Sequence, residues 1–135
     1  MSYHEMTYRV PYADTDQMGV VYYANYLVYF ERSRTEMLRD AGMPYSELEK
    51  QNCFLPVAEA NCKYFAPAHY DELLTFRSWL EEIKGVRVII ASEVLHDNEV
   101  LVRGWVTLAC INASRKLIRP PQTLITACRR FSSAN

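Results

Sequence analysis

At 135 residues, half of them apolar or aromatic, the chain has the length of one ordinary domain and enough apolar surface for a core without disulfide or metal staples. Its 15 basic and 16 acidic residues are intermixed and give a formal net charge of −1, which removes the electrostatic basis for a nucleic-acid surface. No basic, then apolar, leader opens the sequence and no apolar run approaches the roughly 18 residues a membrane span needs, so a cytoplasmic protein with no membrane span is expected.

Residues 3 to 12 alternate, with Met6, Tyr8, Val10 and Tyr12 on one side and Thr7 and Arg9 on the other, the period of a half-buried strand. A polar segment, Asp14-Thr15-Asp16-Gln17, follows. Beyond Gly19 the spacing turns helical, with Tyr23, Tyr26, Leu27, Phe30, Met37, Leu38 and Ala41 on one stripe interrupted by Ser33 and Arg34. Arg32 and Glu36 stand at i,i+4 on the outer face, and Gly42 with Pro44 stops the helix. A stripe this wide and aromatic predicts a helix largely enclosed by a sheet.

Strands are predicted over 55–66, 72–83, 86–96 and 100–112, parted by turns at 67–71, 84–85 and 97–99. The short turns imply an antiparallel meander. One strand, one long helix and four strands in a chain this small call for an α+β domain over 1–135, its antiparallel sheet curled around the helix. A short terminal element, helix or strand with helix preferred, is expected after Pro120-Pro121, and a frayed tail over about 132–135. Cys53, Cys62, Cys110 and Cys128 lie far apart with no metal-ligand spacing, so buried reduced thiols and no metal are expected.

Two carboxylates, Asp14 and Asp16, occupy the loop between the first strand and the helix. A helix start presents unpaired N–H groups and a partial positive charge, so a thioester carbonyl docked there would be polarised. A well-placed oxyanion donor is worth roughly 3 kcal/mol. Asp-x-Asp-x-x-Gly also opens a calcium loop, but Met18 and Asn25 stand where oxygen ligands are required. Both aspartates could equally cap the helix or form Asx turns, and the loop alone leaves capping and catalysis open. No G-x-S-x-G occurs and no cysteine lies beside a histidine in sequence; His4, His69 and His96 read as surface residues.

The string Tyr12-x-Asp14-Thr15-Asp16-x-x-Gly19-x-Val21-Tyr22-x-x-x-Tyr26, with Glu31-Arg32-x-Arg34 beyond it, closely resembles the 4-hydroxybenzoyl-CoA thioesterase and YbgC-like branches of the hot-dog superfamily. Tyr64-x-x-Pro67-Ala68, Gly85-x-Arg87 and Pro120 extend the resemblance over nearly the whole chain. It implies a single hot-dog domain that hydrolyses an acyl-CoA thioester without a cofactor, with Asp16 as the catalytic carboxylate and the Tyr23 backbone N–H polarising the carbonyl. Many YbgC-like members carry His where Tyr23 stands, so the role implied here is the backbone's. Asp16 would attack the carbonyl or activate water, and sequence does not separate the two routes.

Tyr12 could orient Asp16 or touch the acyl group, although a strand tyrosine is core by default. Asp14 would shape the loop, and Glu31 would pair with Arg34 along the helix. Lys63, Lys84, Arg87, Arg115, Lys116 and Arg119, at predicted strand ends and turns, are the candidates for the coenzyme A phosphates. The resemblance further implies a homodimer or homotetramer with edge-to-edge sheets. Rival readings are a hot-dog hydratase or dehydratase, disfavoured by the lack of a His beside the loop, and a non-catalytic acyl-CoA binder, disfavoured by the intact Asp16 loop.

Overall fold

In chain order, the computed structural model contains β1 (His4–Arg9), α1 (Asn25–Asp40), α2 (Tyr45–Lys50), β2 (Val57–Tyr64), β3 (Leu73–Lys84), β4 (Arg87–His96), β5 (Glu99–Ala109) and α3 (Gln122–Arg129). Residues 1–133 are described. The strands form one antiparallel five-stranded sheet in the order β1-β3-β4-β5-β2, with β3, β4 and β5 as the expected meander and β1 and β2 at the edges. Asp97 and Asn98, at φ 50° and 66°, supply the two left-handed residues a tight β4–β5 hairpin requires.

Helix α1 lies across the inner face of this sheet and buries Tyr26, Tyr29, Phe30, Ser33, Arg34, Met37 and Leu38. The apolar contacts form two clusters. One joins Tyr26, Tyr29 and Phe30 to Phe76, Val94 and Val102. The other joins Met37 and Leu38 to Leu80, Ile90, Val106 and Leu124. Between them stands a buried hydroxyl chain, in which Ser33 Oγ lies 2.5 Å from Ser78 Oγ and Ser78 Oγ 2.8 Å from Ser92 Oγ. Gly104 continues this row, in register with Ser92. A Cβ there would sit 2.0 Å from the Asn61 carbonyl oxygen and 2.8 Å from Phe30 Cε2, so only glycine lets helix and edge strand approach this closely.

Several expectations need correction. The first strand ends at Arg9, and a 3₁₀ turn over Tyr12–Asp14 leaves Tyr12 78% exposed. Ser33 and Arg34 belong to the buried stripe, whereas Tyr23 and Leu27 are exposed; Tyr29 is the missing member, because α1 turns that flank towards β1. Glu36 pairs with Arg39, and Arg32 instead lies over the Tyr8 ring. Glu31 accepts from Thr35, and the buried Arg34 has no ion pair among the described residues. His4 is buried, with Nε2 2.6 Å from Asp40 Oδ2, since alternation points it inwards at the start of β1. Cys53, Cys110 and Cys128 are buried free thiols, but Cys62 is only half-buried on the edge strand β2. Of the tail, Ser132 is buried and Ser133 N–H donates to the Leu80 carbonyl at 3.0 Å, so these two residues are tied to β3; the rest of that tail, residues 134 and 135, lies outside the described residues. The terminal element expected after Pro121 is the helix α3.

Candidate active site

The loop between β1 and α1 is built around Asp14. Its carboxylate Oδ2 accepts both the Tyr8 and the Tyr29 hydroxyls at 2.8 Å, and its carbonyl accepts Tyr22 N–H at 2.9 Å and the Asn25 side-chain amide at 3.0 Å. One residue thereby ties β1 to the first and second turns of α1. Burial first, then the hydrogen bond to Asp14 and its charge, pushes the Tyr29 and Tyr8 phenols above the ordinary tyrosine range, so both stay protonated as donors.

Asp16 is half-buried two residues on, in a turn closed by its own N–H to the Val20 carbonyl (2.9 Å) and by Gly19 N–H to its carbonyl (3.0 Å), with Gly19 at φ 76°. Oδ1 accepts Met18 N–H at 2.8 Å in an Asx turn. Oδ2 has no partner among the described residues. Asp14 is therefore an anchor, and Asp16 keeps an oxygen available for chemistry.

At the start of α1, Asn25 N–H donates to the Tyr22 carbonyl and Tyr26 N–H to that of Tyr23, and no side chain caps the helix. The N–H groups of Tyr23 and Ala24 donate no hydrogen bond among the described residues. Two free donors thus stand at the positive end of a 16-residue helix. Beside them opens a groove of about 320 Å³ lined by Val21, Tyr23, Tyr26, Tyr64, Phe65 and Pro67. The Tyr64 hydroxyl donates to the Tyr23 carbonyl at 3.1 Å and fixes the peptide next to the free donors. Burial, then the Cys62 thiol, pushes the Tyr64 phenol up to about 12.

Tyr12 meets Tyr70 edge-on at the surface, and no contact joins it to Asp16. All six basic candidates are exposed and free of ion pairs among the described residues. The structure scatters them. Lys84 and Arg87 face each other across the β3–β4 hairpin, the end of β3 remote from the Asp16 loop, roughly 35 Å along the strand. Arg115 and Lys116 project from the turn closed by Asn112, and Arg119 precedes Pro120. Lys63 alone neighbours a groove residue, Tyr64. Sequence reasoning missed Tyr8 and Tyr29 as donors to Asp14 and the Tyr64–Tyr23 link. Tyr8 had a signal in its place on the inward face of β1, and Tyr29 in its i,i+3 relation to Tyr26; Tyr64 had none, because the contact spans 41 residues.

Among the described residues no group of His, Cys, Asp and Glu could hold a metal ion, and no helix is long and apolar enough to cross a membrane.

Comparison with known proteins bears on the family and the fold. A family model described as the thioesterase-like superfamily matches residues 10–127. YneP of Bacillus subtilis (strain 168) is 36% identical over 104 residues, 76% of this chain and 75% of that one. YbgC of Haemophilus influenzae, named an acyl-CoA thioesterase, is 34% identical over 108 residues, 79% of each chain. The DHNA-CoA thioesterase from Staphylococcus aureus superposes with a TM-score of 0.83 at 31% identity, over 88% of this chain and 81% of that one. With helix α1, strands β2 to β5 and the Asp16 loop all inside the matched region, the chain belongs to the thioesterase-like superfamily and has the hot-dog fold.

Proposed function

We propose that the protein hydrolyses an acyl-CoA thioester to the free acid and coenzyme A, with Asp16 as nucleophile or general base and the Tyr23 N–H as oxyanion donor. The observation that carries this reading is the free N–H pair at the start of α1, beside an apolar groove and one short loop away from a carboxylate with an unpartnered oxygen. The thioester carbonyl would point at Tyr23 N–H and the acyl group would lie among Tyr23, Tyr26, Tyr64 and Phe65. Attack by Asp16 forms a mixed anhydride and expels the coenzyme A thiolate, and water then cleaves the anhydride to the free acid and the Asp16 carboxylate; alternatively Asp16 takes a proton from a water that attacks the carbonyl, and the tetrahedral intermediate expels the thiolate, which recovers the proton. The names of relatives such as YbgC support the substrate class.

The working unit in this reading is a cytoplasmic homodimer or homotetramer joined along β2, an edge strand whose Val57 and Tyr64 are 54% and 48% exposed. Such a joint would bring basic residues of a second copy within reach of the coenzyme A phosphates that the remote Lys84 and Arg87 cannot serve within their own chain.

Free-thiol release from a panel of aliphatic and aromatic acyl-CoAs tests the reading. The parent is expected to turn over at least one class and Asp16→Asn to lose about two orders of magnitude or more. Equal activity in both removes Asp16 as the catalyst. Binding without release in the parent points instead to the non-catalytic acyl-CoA binder.

A further inference from the structure

Among the described residues Asp16 makes no side-chain bond to the scaffold: its Oδ1 contact and its backbone bonds all stay within residues 16–20. Its placement therefore depends on how the segment 19–21 is held. That segment is stitched to the turn after Pro67 by two hydrogen bonds, Val21 N–H to the Ala68 carbonyl at 2.8 Å and Tyr70 N–H to the Gly19 carbonyl at 3.3 Å, which together make an antiparallel bridge between Val20 and His69. The turn itself reverses through Asp71 at φ 68°, in the left-handed region that aspartate enters more readily than most non-glycine residues.

We propose that Glu72 is a positioning residue that sets the Asp16 loop through His69, an inference that rests on the reading of Asp16 as the reactive carboxylate. Glu72 Oε1 accepts His69 N–H at 2.6 Å and lies 3.3 Å from His69 Nδ1. Its Oε2 lies 3.1 Å from Nδ1 of His96, at the end of β4, and His96 Nε2 is 3.6 Å from Asp97 Oδ2. One carboxylate, its side chain only 23% exposed, thus clamps the turn to a strand inside the sheet. From Glu72 the path to the chemistry is short: His69 N–H, the Ala68 carbonyl of the same peptide, Val21 N–H, the Val20 carbonyl of that peptide, and Asp16 N–H. Without the clamp His69 N–H loses its acceptor and the turn can shift by a fraction of an ångström, enough to take Asp16 out of line with the carbonyl.

The test is kcat and KM on the best acyl-CoA of the panel for Glu72→Ala, Glu72→Gln and His96→Ala, with Asp16→Asn alongside. Glu72→Ala is expected to lower kcat about tenfold with KM within about twofold, the pattern of a misplaced reactive group. Glu72→Gln restores kcat to within about threefold, because its amide oxygen still accepts His69 N–H and its NH₂ still meets His96. His96→Ala, which removes only the outer arm, falls between them and decides the matter if Glu72→Ala does not fold. Parental kcat in Glu72→Ala or in His96→Ala, or a Glu72→Gln enzyme as slow as Glu72→Ala, overturns the proposal. An active Asp16→Asn enzyme defeats the underlying reading instead, whereas an inactive Asp16→Asn with an unaffected Glu72→Ala removes the positioning role alone.

Discussion

Replacing Asp14 separates its anchoring role from the chemistry assigned to Asp16. Both phenols donate to a single oxygen, Oδ2, at 2.8 Å, and one of them, Tyr29, is 1% exposed. Hydrogen bonds to an ionised acceptor contribute about 1.5–3 kcal/mol and neutral ones about 1 kcal/mol. Asp14→Asn keeps a carbonyl that can accept both phenols but loses the charge, a cost of about 2 kcal/mol for the pair. Asp14→Ala removes the acceptor altogether. Tyr29 then has no route to water while half-buried Tyr8 does, which places the cost at about 3–4 kcal/mol. At about 2.1 cal/mol/K per residue, the 135-residue chain unfolds with an entropy near 0.28 kcal/mol/K, so the melting temperature should fall by about 7 °C for Asn and about 12 °C for Ala. Thermal denaturation followed by circular dichroism gives both values. An Ala variant melting within about 2 °C of the parent, or an Asn variant as unstable as Ala, would refute the anchoring argument.

Tyr23→Phe should keep kcat within about threefold, because the group assigned to the oxyanion is the backbone N–H; a hundredfold loss, measured by thiol release, would transfer that role to the hydroxyl. Val57→Lys places a charge on the exposed β2 edge and should lower the sedimentation mass and the activity together, whereas an unchanged mass would show that this edge is not the joint. Alkaline pH should destabilise the fold. Burial pushes Cys128 up to about 12, and burial with the nearby Cys53 does the same to Cys110, while the unfolded thiols ionise near 9; Tyr64, also at about 12, adds to this against an unfolded value of 10. These groups keep protons in the folded state that the unfolded chain has released, so their stabilisation is complete below pH 9 and is lost as pH rises towards 12. Urea midpoints that stay level across that window would contradict the burial of these thiols.

The strand and helix pattern was legible because burial imposes period: alternating apolar positions marked β4 and β5, and helical spacing of the apolar residues marked α1. Errors fell where side-chain partners override period. Tyr12 continues the alternation of β1, yet Pro11 and the turn to Asp14 carry it into solvent. Ser33 reads as a break in the helix stripe and is in fact satisfied by Ser78, a partner 45 residues away that no local pattern reveals. The short helix α2 has too few residues to show a period. Within the site, the loop motif pointed to Asp16, but its contrast with Asp14 depends on two tyrosines from different elements. The basic candidates were chosen by position alone, and position says nothing about which end of a twelve-residue strand faces the groove.

The hydroxyl chain from Ser33 to Ser92 divides the interior into two compartments, one holding Tyr26, Tyr29 and Phe30 beside the groove and the other lying beneath α3. Side chains in different compartments share few neighbours, so changes of volume on one side are felt weakly on the other. On the proposed reading the groove side can therefore be resized for a different acyl group while the far side keeps the chain folded, which would make substrate range a property this architecture can alter at low cost to its stability.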